Sequence, residues 1–135
     1  MASIRKEIRI NAPASQIWDA LKDVGSLHTR LVPGFVTDTR LEGNTRVVTF
    51  GNGMEVREEI VSVDATRQRV AWAVVGQSFR HYSGAAWVES DPKGGSRFFW
   101  TADLLPDELA PQVDQMMTEG IEAVKRTLEA SAQAA

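Results

Sequence analysis

The sequence predicts an α+β fold in which seven antiparallel strands curl around one long C-terminal helix, with two short helices after the first strand. Three observations predict it. Between Asp107 and about Ser131, the residues Leu109, Val113, Met116, Met117, Ile121, Val124 and Leu128 recur at three- and four-residue steps, which is one stripe of an α-helix. From Phe35 to Leu105 apolar residues instead alternate with polar ones, interrupted at hairpin spacing by clusters of Gly, Asn and Pro. A shorter alternation, Ile4, Ile8 and Ile10 against Arg5, Glu7 and Arg9, opens the chain.

In order, Ser3 to Ile10 is a half-buried strand whose pattern is broken only at Lys6. Asn11-Ala12-Pro13 ends it, and Asn11 or Ser15 is placed to cap a first short helix containing Ile17, Trp18 and Leu21. Asp23-Val24-Gly25 stops that helix, and a second runs from Ser26 to about Leu31, before Pro33-Gly34. Turn signals at Glu42-Gly43-Asn44, Gly51-Asn52-Gly53, Ala65-Thr66-Arg67-Gln68, Gly76-Gln77 and Asp91-Pro92-Lys93-Gly94-Gly95 then delimit six strands, at 35–42, 45–51, 54–64, 68–76, 78–90 and 96–105.

In the last hairpin, Ser90 set opposite Ser96 pairs Val88 with Phe98, Ala86 with Trp100, Gly84 with Ala102 and Tyr82 with Leu104. Small residues then face large ones, so this even-numbered face is the expected interior, the other carrying Arg97, Thr101 and Asp103. The strand at 54–64 has no single apolar face. Met54, Val56 and Ile60 share one side with Glu58, and Val61 and Val63 share the other with Glu55 and Glu59, a conflict that a β-bulge reconciles. Pro106 closes the last strand; Asp107 and Glu108 suit a helix N-terminus, and Lys125 and Arg126 its other end. At roughly 1.5 Å per residue the long helix spans about 40 Å, enough to cross a small sheet. The last residues, Ser131 to Ala135, are expected to fray.

A length of 135 residues, 43% hydrophobic and 24% charged, is that of one ordinary globular domain, residues 1–135. Net charge is −3 and Lys and Arg form no run, so nucleic acid is not an expected partner. The absence of cysteine removes disulfides, zinc-thiolate sites and thiol catalysis, and two histidines, His28 and His81, are too few for a histidine-rich metal site. No cofactor is implied. The N-terminal residues are charged where a signal peptide is apolar, and no segment approaches a membrane span, so the cytoplasm is the expected compartment. Gly51-Asn52-Gly53 lacks the Lys-Ser/Thr and opening helix of a phosphate loop, and no Gly-x-Ser-x-Gly elbow is present. Monomer and homodimer both remain open.

Several stretches are more specific than their periodicity. The opening strand ending in Asn11-Ala12-Pro13-Ala14, then Ile17-Trp18-Asp19-Ala20-Leu21 and Asp23-Val24-Gly25, resembles the start of the polyketide cyclase/dehydrase branch of the START-related, helix-grip superfamily (SRPBCC). Arg46, Gly53 and Arg57-Glu58-Glu59-Ile60-Val61-Ser62-Val63-Asp64 resemble its middle, and Tyr82, Trp100-Thr101-Ala102-Asp103, Pro106, Gly120 and Lys125 its end. The resemblance implies a seven-stranded antiparallel sheet wrapped around the long helix, with an apolar cavity between them and the short helices near its mouth. It also implies a hydrophobic small-molecule ligand such as a polyketide, lipid, sterol or plant hormone. Members often carry a Trp just before the proline after the second helix. Here Leu31-Val32-Pro33 stands there, which implies a less aromatic mouth.

The candidate ligand-binding positions are Leu31, Phe50, Glu58, Trp72, Tyr82, Trp100, Val113, Met117 and Ile121. Trp72, Tyr82 and Trp100 are expected to point inward on the concave sheet towards Val113, Met117 and Ile121, as adaptable cavity walls or simply as core. Met116 and Met117 are adjacent on a helix, so both cannot point fully inward. Glu58, if inward, is a candidate general acid or base or an anchor for a ligand hydroxyl; otherwise it faces solvent or pairs with Arg46 or Arg57. His28 and His81 read as surface or hydrogen-bonded residues. Loops near Pro33-Gly34 and Gly76-Gln77 are expected to gate entry. Three functions follow: a binding protein for a hydrophobic or aromatic molecule, a cyclase/aromatase- or dehydratase-like enzyme in the same cavity, and a protein-interaction module of co-chaperone type.

Overall fold

The computed structural model describes residues 1–134. The opening alternation forms strand β1 (Ala2–Ile10). Lys6 shares the inward side with Ile4 and Ile8, and its Nζ meets Asp114 Oδ1 of the C-terminal helix at 2.8 Å. The one residue that breaks the pattern thus ties strand to helix.

Helix α1 (Ala14–Leu21) buries Ile17, Trp18, Ala20 and Leu21. Neither Asn11 nor Ser15 caps it. Pro13 occupies the cap position, and its carbonyl accepts from the amides of Gln16 and Ile17 at 3.1 and 3.2 Å. Asn11 instead donates its backbone N–H to Glu129 Oε2 at 2.8 Å. The second short helix is a π-helical turn, Leu27–Leu31, closed by the Val32 amide donating to the Leu27 carbonyl at 2.8 Å. It buries Leu27 and Leu31 together.

Six strands follow: β2 (Val36–Glu42), β3 (Thr45–Phe50), β4 (Glu55–Asp64), β5 (Arg69–Val75), β6 (His81–Ser90) and β7 (Ser96–Leu105). All neighbours are antiparallel, in the order β1-β7-β6-β5-β4-β3-β2. The last hairpin has the expected register, Ser90 opposite Ser96 and Tyr82 opposite Leu104. Its even-numbered side is the interior, where Phe98, Ala102 and Leu104 are buried. The other side is less polar than expected. Trp87 stacks on Phe99 with ring centroids 5.1 Å apart, and the Arg5 guanidinium lies over both rings.

The bulge in β4 is present: pairing with β5 shifts between Ile60 and Ser62. Before it Val56 and Glu58 are buried; at it Val61 is two-thirds exposed; after it Val63 pairs with the buried Val70 but is itself about half exposed. The extra residue turns Val63 to the side of Val70, yet from the bulge on both Val61 and Val63 stay exposed, so only the first half of the strand buries apolar side chains. β6 begins later than expected, at His81, because Gly76 and Gln77 both take left-handed backbone and extend the turn.

The long helix α2 (Ala110–Ala134) begins after a short 3-10 turn, Asp107–Leu109, and carries Pro111 in its first turn, where a missing N–H does no harm. Residues 131–134 remain helical where fraying was expected, and Ala135 lies outside the described residues. Val113, Met117, Ile121, Val124 and Leu128 are buried under the concave sheet. Lys125 anchors the far end, its Nζ donating to the Arg9 carbonyl at 2.7 Å.

Candidate ligand cavity

The helix packs chiefly on β1 and less on β7, and on the other side a gap opens beneath β3 to β6. Two adjoining spaces fill the gap: an inner chamber of about 70 Å³ and an outer groove of about 590 Å³. Phe35, Phe50, Glu58, Tyr82 and Met116 border both, and so stand at the junction. Phe35 and Phe50 meet edge to face with centroids 5.5 Å apart.

Two glycines make room for the chamber's tryptophans. A β-carbon at Gly84 would lie 2.6 Å from Trp72 Cε2, so the indole rests directly on the β6 backbone. One at Gly120 would lie 2.6 Å from Trp100 Cζ3 and 3.0 Å from Phe35 Cε2, so α2 presses bare backbone against both rings. Trp100 keeps its indole N–H buried with no hydrogen-bond partner among the described residues. At the mouth, Gly51 donates its amide to the Phe35 carbonyl at 2.9 Å, and a β-carbon there would lie 2.7 Å from the Gly34 carbonyl. That glycine clamps the loop after Pro33 to the β3–β4 turn.

At the junction lies one ion pair. Register places Arg46 of β3 directly opposite Glu58 of β4. The Arg46 Nε donates to Glu58 Oε1 at 2.9 Å, and Nη2 stands 2.7 Å from the same oxygen. Both residues are buried, at 3% and 9% exposure, and Nη1 reaches the Val24 carbonyl at 3.4 Å. The guanidinium also sits 5.5 Å from the centre of the Trp72 ring. Arg57 goes elsewhere, to Glu42 at 2.7 Å on the exposed side. Glu58 thus faces inward and is paired at once. Burial first, and the Glu58 charge second, push the Tyr82 phenol well above its ordinary range, so it stays a neutral donor.

Of the residues expected to line a cavity, Leu31, Trp72 and Trp100 border the chamber, Val113 the groove, and Phe50, Glu58 and Tyr82 both. Met117 and Ile121 border neither. Met117 is fully buried against Tyr82, Ala102, Leu104 and Val113, and Ile121 lies in the larger cluster with Phe98 and Leu128. These two positions pack against their neighbours and leave no gap, whereas Val124, on the same stripe, and Met116, beside it, border the chamber. Phe35, Phe79 and Glu119 also belong to the lining and were not anticipated; Phe35, following Pro33-Gly34, is the one that position in the chain could have suggested. Of the two loops expected to gate entry, Gly34 borders the groove, whereas Gly76 and Gln77 do not, and Gln77 is tied to the Glu55 carbonyl at 2.9 Å. His81 lies 3.3 Å from Ser83 on the exposed side, and His28 borders neither space. Among the described residues no three His, Asp or Glu gather as metal ligands, and no helix is long and apolar enough to cross a membrane.

A curved antiparallel sheet gripping one long helix, with an apolar cavity and a self-balanced ion pair between them, defines a helix-grip protein. Residues 1–134 match the family described as polyketide cyclase / dehydrase and lipid transport, and the chain belongs to that family. Its fold is similar to that of an uncharacterized protein from Bacillus thuringiensis, with a TM-score of 0.83 and 16% identity over 94% of this chain and 98% of that one. The protein XoxI from Bacillus cereus gives a TM-score of 0.85 at 15% identity, over 95% and 96% of the two chains. A protein from Nitrosospira multiformis gives 0.82 at 11% identity, over 98% and 99%. At these identities the likeness is one of fold. Comparison with curated protein sequences finds no match.

Proposed function

We propose that this protein binds one hydrophobic or aromatic small molecule in the groove between the sheet and α2, with part of it entering the inner chamber. The observation that carries this reading is the groove itself: about 590 Å³, within the range of small-molecule sites, walled by Phe35, Phe50, Val56, Val74, Phe79, Val113 and Met116. Apolar burial at about 25 cal/mol per Å² supplies the driving force, and Glu58 and Tyr82 supply orientation.

The enzymatic reading uses the same cavity, with Glu58 moving protons. The Arg46 guanidinium already occupies Oε1 with two N–H contacts, so that oxygen is not open to a substrate, and this supports binding over catalysis. The test is a panel of apolar probes measured by thermal unfolding. A ligand at a hundredfold its Kd adds about 2.7 kcal/mol to the folded state. Met116→Trp, which fills the junction, is expected to weaken every responding probe at least tenfold. No rise in Tm with any probe defeats the binding reading.

A further inference from the structure

We infer that the ligand is an uncharged molecule that presents a hydroxyl group to Glu58, and that the cavity excludes carboxylate anions. The inference rests on the binding reading above and deepens it.

The first argument is charge. Among the described residues, Arg46 is the one basic side chain bordering either space, and the acids there are Glu58 and Glu119. Arg46 is already spent: Nε and Nη2 meet Glu58 Oε1, and Nη1 points to the Val24 carbonyl. An entering anion therefore loses its hydration at the junction and finds no free cation to replace it, since the one acid there is already balanced by Arg46 and Glu119 stands exposed at the groove's edge. An apolar ligand with an acidic head would have to break the Arg46–Glu58 pair, leaving Glu58 buried and unpaired.

The second argument is hydrogen bonding. Both Arg46 contacts converge on Oε1, so Oε2 is the carboxylate oxygen left to accept from a ligand. Tyr82 borders the same two spaces from β6 and keeps its phenol proton. A ligand hydroxyl lodged at the junction donates to Glu58 Oε2 and can accept from Tyr82. It satisfies both groups without bringing charge, and bonds to a charged acceptor are the stronger kind.

The experiment compares three probes of one shape, 2-naphthol, 2-methylnaphthalene and 2-naphthoate, titrated at pH 7 into the whole protein and read by quenching of tryptophan fluorescence. The expected ranking is 2-naphthol about tenfold tighter than 2-methylnaphthalene, and 2-naphthoate at least tenfold weaker than 2-methylnaphthalene. In Glu58→Gln, which frees Arg46, the naphthol advantage shrinks and naphthoate gains. Tyr82→Phe, which keeps the ion pair, weakens naphthol alone. Should either variant fail to melt cooperatively, the ranking in the unaltered protein decides. Equal binding of all three, or naphthoate the tightest, overturns the inference while the binding reading stands. Binding of none overturns both.

Discussion

Replacing Gly120 by alanine sets two known effects against each other. In an exposed helix interior, Gly→Ala stabilises by about 1 kcal/mol. Here the added methyl would stand 2.6 and 2.9 Å from Trp100 Cζ3 and Cη2 and 3.0 Å from Phe35 Cε2. Aromatic rings do not compress, so Trp100 or the helix must move by most of an ångström. Overpacking of that kind costs about 2–3 kcal/mol. The net expectation is a loss of about 1–2 kcal/mol, which for a chain of this size lowers Tm by about 4–8 °C. Thermal unfolding followed by circular dichroism measures it. The same substitution in a Trp100→Phe background, where the two offending ring carbons are gone, is expected to be neutral or stabilising, a coupling of at least about 1 kcal/mol. A Tm for Gly120→Ala equal to or above that of the unaltered protein means helix propensity has won, and the contact between Gly120 and Trp100 is refuted.

Three further outcomes follow from the same packing. Arg46→Met leaves Glu58 buried without its cation and is expected to lose about 3–5 kcal/mol in urea unfolding, whereas Arg46→Met with Glu58→Leu returns to within about 1 kcal/mol; equal losses in both deny that the pair is buried as a unit. Val61→Lys, at the exposed bulge, is expected within about 0.5 kcal/mol of the parent, while Val56→Lys, on the inward side of the same strand, loses more than about 2 kcal/mol. Asp91 accepts from the Lys93 amide at 2.9 Å and lies near Arg97 and Arg9, and these contacts hold its carboxyl below the usual carboxylate range. A depressed folded-state value means its contribution is complete above the unfolded value of about 3.9 and disappears as pH falls through the folded one. Asp91→Asn is therefore expected to flatten the acid limb of the stability curve, and an unchanged limb sinks the assignment.

The sequence alone carried the order of elements, the register of the last hairpin and the stripe of the long helix, because each is written in spacing over a few neighbouring residues. Even the conflict among Val56, Glu58, Val61 and Val63 was legible, since a strand must alternate and a bulge is the local remedy. The start of α2 and the capping of α1 were not. There Pro13 and the contact from Asn11 to Glu129, more than a hundred residues away in the chain, displaced the expected local choice.

The cavity depended on more than spacing. Trp72, Tyr82, Trp100 and Val113 were expected to point inward and they border the two spaces, yet periodicity cannot separate a residue packed without a gap from one beside a cavity. Met117 and Ile121 are packed without a gap while Val124 of the same stripe, with Met116 beside it, borders the chamber, because the sheet closes on α2 along β1 and β7 and the cavity opens beneath β3 to β6. The tertiary structure likewise chose between the two arginines available to Glu58: cross-strand register put Arg46 inside, opposite the carboxylate, and sent Arg57 out to Glu42. Local pattern determines which way a side chain points. What it meets there is decided by strands that come together only when the sheet bends.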